Sequence, residues 1–198
     1  MSALSFVARV PSHPAARRLW FLASGLLLAL ALTACGAKQA HPTTADNEGF
    51  YVDAGPITYQ VQLSRELNPF DIEDREYLNG ATGTAPKPDE EWFAVFMWAK
   101  NQTGSNQTTT DSFDILDTQG NRYYPVPINP KVNPFAWTAQ TLAPLGTEPA
   151  PESAASFGPT QGGELLFKLN ISAYSNRPLT LQIYARGQAN PSSVSLDL

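Results

Sequence analysis

Ile57, Tyr59, Val61 and Leu63 alternate with Thr58, Gln60 and Gln62, the period-two pattern of a strand with one buried face. The alternation returns at Phe113 and Ile115 around Asp114, at Leu165, Phe167 and Leu169 around Leu166 and Lys168, and at Leu179, Leu181 and Ile183 around Thr180 and Gln182. Residues 92–99, WFAVFMWA, are apolar throughout, as a central strand covered on both sides would be. Thr118-Gln119-Gly120-Asn121 before Tyr123 predicts a hairpin turn in which Gly and Asn supply positive φ. Residues 101–110 predict a polar hairpin loop with Gly104 at its tip, and Val194, Leu196 and Leu198 a last edge strand. No window of 12 or more residues shows a helical period outside the leader described next, and the prolines fall in the connections. The pattern predicts an all-β fold, an immunoglobulin-like antiparallel β-sandwich of about seven strands. With one cysteine there is no inter-sheet disulfide, so Trp92, Trp98, Phe96 and Phe113 are expected to fill that space.

A different pattern precedes the strands. Residues 1–18 carry Arg9, Arg17 and Arg18 and no acid; residues 19–34, LWFLASGLLLALALTA, carry no charge. The apolar run is 16 residues, shorter than the ~20 that span a bilayer comfortably. A basic start, a short apolar stretch and a small-residue cleavage site make residues 1–34 a signal peptide with a helical core. Its end, Leu32-Thr33-Ala34-Cys35, resembles the lipobox of bacterial lipoproteins. That resemblance implies cleavage between Ala34 and Cys35 and a diacylglyceryl thioether (with an amide-linked acyl chain such as palmitate) on Cys35. Two acyl chains suffice for stable anchoring where one does not. Arg17-Arg18-Leu19 also resembles a twin-arginine export signal, although a plain basic start accounts for it. Residues 35–49 read as the lipidated cysteine and a flexible polar tether, and residues 50–198 as the sandwich domain.

Removing the leader leaves 10 basic residues against 18 acidic, a net charge of −8 in place of −5. That argues against nucleic acid and against adhesion to anionic lipid through a basic face. His13 falls in the leader and His41 in the tether, so the folded part is expected to lack histidine, and Cys35 is blocked. Zinc sites of the His/Cys type, Ser-His-Asp triads and Cys-His pairs are then out of reach. No Gly-rich phosphate loop is present. No cofactor is expected, and no enzyme activity. Paired carboxylates remain as a catalytic alternative: Asp89, Glu90 and Glu91 could face the 71–76 loop across the ~5–10 Å that glycoside hydrolysis requires.

Two connections are long, residues 64–90 and the proline-rich 127–162. Loops of that length either carry function or wrap the sheet edges. Asn68-Pro69-Phe70 recurs as Asn133-Pro134-Phe135; in each, Asn starts a turn, Pro sets the next φ and Phe tucks back onto the sandwich. Asp71, Glu73 and Asp74 form a calcium candidate, although they lack the EF-hand order and suit a solvated acidic loop better. Asp117 reads as a turn residue.

The stretches Ser64-Arg65-Glu66-Leu67-Asn68-Pro69-Phe70, Tyr77-Leu78-Asn79-Gly80, Glu91-Trp92-Phe93-Ala94-Val95-Phe96, Asp117-Thr118-Gln119-Gly120-Asn121 and Asn176-Arg177-Pro178-Leu179 together resemble a group of uncharacterised actinobacterial-type lipoproteins with immunoglobulin-like extracytoplasmic domains. The resemblance covers about residues 50–186. It implies a β-sandwich on the outer side of the membrane and brings no catalytic residue. The expectation is a lipid-anchored binding or scaffolding module, facing outward, whose partner is an envelope protein or the cell wall. Phe70, Tyr77, Phe135 and Trp137 are the candidate partner contacts, or equally edge-covering core. A paired-carboxylate envelope hydrolase and a calcium-stabilised surface domain are the alternatives.

Overall fold

The computed structural model describes residues 39–196; residues 1–34, read as a signal peptide, and Cys35 lie outside them. Among the described residues seven strands have four or more residues. They are β2 (Tyr51–Ala54), β3 (Ile57–Leu67), β4 (Glu90–Asn101), β6 (Phe113–Leu116), β10 (Gly163–Asn170), β11 (Leu179–Ile183) and β12 (Ser192–Leu196). Two-residue strands complete the sheets: β1 (Thr44–Ala45), β5 (Gln107–Thr108), β7 (Arg122–Tyr123), β8 (Thr141–Leu142) and β9 (Thr147–Glu148). One main sheet runs β1-β12-β11-β6-β7 and the other β10-β4-β3-β2, with β9 also beside β4, and β5 and β8 form a separate two-stranded sheet. All pairings are antiparallel except β1 with β12. The immunoglobulin-like β-sandwich read from the alternation is the fold found.

The alternation works as it should between the sheets. Val52, Tyr59, Val61, Phe93, Val95, Met97, Phe167 and Leu169 from one sheet meet Ile115, Leu181, Val194 and Leu196 from the other in one buried core. Trp137 packs between the sheets, edge-on to Phe113 at 5.9 Å and beside Tyr59 at 6.2 Å. Phe96, Trp92 and Trp98, expected there, point the other way, because β4 puts even-numbered side chains on its outer face.

That outer face is why residues 92–99 of β4 are apolar throughout. A second buried cluster joins Leu67, Ala94, Phe96 and Leu166 to Tyr77, Phe135 and Ala155. Tyr77 comes from α1 (Ile72–Leu78) and Ala155 from α2 (Ala154–Phe157), so both long connections lie over the sheet. Gly162 permits a close approach of two backbones. Its φ is +127°, and a Cβ there would sit 2.9 Å from the Met97 nitrogen. The same 125–137 segment shields the β10 edge through Val126 N–H to Leu166 O, Glu164 N–H to Phe135 O and Trp137 N–H to Glu164 O.

Three expectations fail locally. Residues 39–49, read within the tether, are part of the sandwich. Thr44 and Ala45 pair with Ser193 and Val194, Asp53 N–H donates to Pro42 O, and Gly49 N–H donates to Val61 O. Glu48 accepts from the Ser64 N–H and hydroxyl. Their contacts are polar and main-chain, which is why low apolar content was a poor guide. The loop at 101–110 is no hairpin of its own, since β5 pairs with β8. In the 118–121 turn only Gly120 has positive φ. Asp117 takes the remaining load, accepting from the Gln119 and Asn121 N–H groups at 2.9 Å.

Candidate functional site

The two Asn-Pro-Phe triplets make the same turn. Asn68 Oδ1 accepts from Phe70 N–H at 3.0 Å, and Asn133 Oδ1 from Phe135 N–H at 2.8 Å. Phe135 then packs against Tyr77 at 4.9 Å and is buried, as the turn reading expects. Phe70 does not tuck back and is 90% exposed. Tyr77 is 1% exposed, edge-on to Phe96, and its hydroxyl accepts from Thr160 N–H. Trp137 lies in the inter-sheet core with its indole N–H on Thr110 O. Of the four candidate partner contacts, Tyr77, Phe135 and Trp137 are core residues, and Phe70 alone is open to a partner.

The calcium candidates are committed elsewhere. Asp71 is the N-cap of α1, accepting from the Glu73 and Asp74 N–H groups. Asp74 is buried 2.6 Å from Arg65 and accepts from Asn68 N–H, and Glu73 lies 3.5 Å from the same guanidinium. Among the described residues no group of three His, Cys, Asp or Glu side chains could hold a metal ion. The calcium reading of Asp71, Glu73 and Asp74 is therefore corrected to a helix cap and an ion-pair cluster.

The carboxylates before β4 do not face the 71–76 loop. Glu90 pairs with Lys87, and Asp89 accepts from Asn170. Glu91 instead comes near Glu66, with the Tyr174 hydroxyl between them, donating to Glu66. Burial raises the Glu91 pKa, the Tyr174 hydrogen bond opposes the rise, and Glu66 adds to it. Burial and both carboxylates push the Tyr174 phenol up in turn.

His41, assigned to the tether, belongs to the fold. Its Nδ1 lies 3.3 Å from Asp53 Oδ1, its N–H donates to Asp53 Oδ2, and Thr58 Oγ1 donates to Asp53 Oδ1 at 2.6 Å. The folded part thus has a histidine. The carboxylate sits between the histidine and the hydroxyl, so Thr58 is tied to the acid and not to the base that would activate it.

A concavity adjoins the proline-rich connection. One cleft of about 460 Å³ is walled by Pro125, Pro127, Ile128, Trp137, Glu164 and Leu165. A second of about 520 Å³ is walled by Pro56, Tyr59, Asn106, Thr108, Thr110 and Arg186. Both include Asp111 and Ala139, so they form neighbouring parts of one groove, apolar at one end and polar at the other. Glu164 marks its apolar end. It is 1% exposed, Asn133 Nδ2 donates to its Oε2 at 3.3 Å, and its Oε1 has no hydrogen-bond partner. Burial pushes its pKa to about 8, against the opposing pull of Asn133 and Arg65. Glu148 beneath the same connection is pushed by burial to about 7, opposed by hydrogen bonds from Thr109 and Gln140 and the backbone of Thr138. Burial also raises the Tyr59 phenol. Sequence reading missed Glu164 because it alternates outward from Leu165, a position that belongs to solvent unless something covers the sheet.

No family model matches the chain, and no curated protein matches it in sequence. Solved structures do resemble it. The yjhA protein from Bacillus subtilis superposes with a TM-score of 0.51 at 16% identity, covering 77% of this chain and 99% of that one. A protein named "putative lipoprotein (ycdA)" from Bacillus subtilis subsp. subtilis str. 168 gives 0.43 at 10% identity, over 75% of this chain and 38% of its own. An uncharacterised beta-sandwich protein (CD630_09570) from Clostridium difficile 630 gives 0.42 at 11%, over 81% and 100%. The likeness to yjhA is one of fold. Among the described residues no helix is long and apolar enough to cross a membrane.

Proposed function

We propose that this chain is a lipid-anchored, extracytoplasmic binding module of the bacterial cell envelope, and that the groove along the 125–139 segment is where it binds. The observation that carries the reading is the groove itself. Its two parts have the size of small-ligand clefts, its apolar walls are held by main-chain bonds to β10, and Asp111 and Arg186 supply charge at its polar end. The lipobox-like Leu32-Thr33-Ala34-Cys35 supplies the anchor. The rigid sheets act as frame and the long connection as recognition element.

A photo-crosslinking amino acid at Ala139, exposed and common to both clefts, tests the site in intact cells. A discrete adduct at Ala139, absent from the same substitution at exposed Gln119, is expected. Equal adducts at both positions would remove the groove from the proposal. For the anchor, Cys35→Ser is expected to abolish labelling by radioactive fatty acid. Undiminished labelling would refute lipidation at that sulfur.

A further inference from the structure

Lipidation of Cys35, on which this inference rests, combines with the docking of residues 39–49 to restrict which end of the sandwich meets the membrane. Only residues 36–38 separate Cys35 from Gln39. Fully extended, that connection spans at most ~14 Å. A compact domain of this length has a radius of about 20 Å. The leash is shorter than the radius, so the end that carries Gln39 must face the bilayer.

That end is well defined. Gln39 N–H donates to Gln102 Oε1 at 3.3 Å, where β4 runs out. The β2–β3 turn at Gly55-Pro56 is there too, since Ile57 pairs with Asn101. Asn101 organises the rest. Its side-chain amide donates to Ser105 O, Leu142 O and Ala143 O at 2.8, 3.0 and 3.1 Å. Its main chain accepts from Leu145 N–H and donates to Gly146 O, both at 2.9 Å. The loops 102–106 and 143–146 are thereby fixed side by side.

Leu145 stands at the tip of this end. It is 70% exposed and has φ +63°, a left-handed conformation that a branched side chain enters only at a cost. Water gives the exposed side chain nothing, whereas burial at a lipid interface is favourable.

We propose that the loops 102–106 and 143–146 lie on the bilayer surface and that Leu145 inserts among the lipid headgroups. The partner is the membrane itself, and the docking brings the polar end of the groove, walled by Pro56, Asn106 and Arg186, to the bilayer surface.

The test uses the mature lipidated protein in vesicles of phosphatidylethanolamine and phosphatidylglycerol. Cys35 is capped by its thioether, so a new cysteine takes an environment-sensitive fluorophore uniquely. Leu145→Cys is compared with Phe70→Cys at the far end. Gly104→Cys serves as a second near-end position, because a Cβ there meets nothing within 4 Å. The expected result is a blue shift and at least twofold stronger quenching by spin-labelled lipid at 145 and 104 than at 70. Equal quenching at all three, in protein that carries fatty acid on Cys35, would overturn the membrane face and leave the anchor standing. Absence of fatty acid on Cys35 would remove the leash, and this inference with it, along with the anchored part of the proposed function.

Discussion

Glu164 makes the stability of the domain depend on pH. In the native state it holds its proton up to about pH 8, whereas the unfolded chain releases it near the usual 4.5. Its contribution is fully present below pH 4.5 and is lost as pH rises through 8, because the unfolded state then binds fewer protons than the native one. Glu148 adds a second decline that ends near pH 7. Thermal melting is therefore expected to shift to lower temperature between pH 5 and 8, with both groups contributing up to about pH 7 and Glu164 alone beyond it. Glu164→Gln keeps the shape and cannot ionise, so it should raise the melting temperature at pH 8 and leave it unchanged at pH 5. A variant with the parent's pH slope would show that the carboxyl is solvated. Tyr77 and Phe70 give the sharpest contrast among the aromatics. Tyr77→Ala opens the outer core and should cost about 3–5 kcal/mol. Phe70→Ala should stay within about 0.5 kcal/mol. Denaturant midpoints at neutral pH check both.

At the scale of elements, the first strand is the point where composition misled. Residues 39–49 are polar and hold one proline, yet they supply β1 and carboxylate bonds to Ser64. A domain begun at residue 50 is expected to lose cooperative unfolding or to melt at least 5 °C below one begun at residue 39, with circular dichroism as the measurement. Equal melts would return the segment to the tether. The strands themselves were legible because Ile57, Tyr59 and Val61, or Leu179, Leu181 and Ile183, answer to a period that a buried face enforces. The cover over the second face was not. Identical triplets send Phe135 inward and Phe70 outward, a difference set by the register of residues far away in sequence. For the same reason Glu164 looked like a solvent position, and the groove, which forms where one connection crosses a sheet edge, left no local trace.

The proposed groove runs along one edge of the sandwich, and the proposed membrane contact lies at one end of it. Charge is mixed along the long strands: β3 and β4 carry Arg65 beside Glu66, Glu90 and Glu91 at one end and Lys100 at the other. Contact of the near end with vesicles should then depend on the leash and on burial of Leu145 more than on charge. A series from 50 to 500 mM salt with the position-145 probe is expected to leave the quenching unchanged, because salt screens surface charge and not apolar burial. Quenching that collapses with salt would assign the contact to charge.

The parallel pairing of β1 with β12 sets an order in time. Thr44 meets Ser193 across 149 positions of chain. Chains are made from the N-terminus, and contacts between distant residues form late. The segment that forms β1 is thus among the first to emerge and has to wait, its main-chain groups unpaired, until the last strand arrives. An interrupted chain ending before Ser192 would keep β3, β4 and β10 yet leave residues 44–45 without their partner strand, an exposed handle by which unfinished copies differ from finished ones.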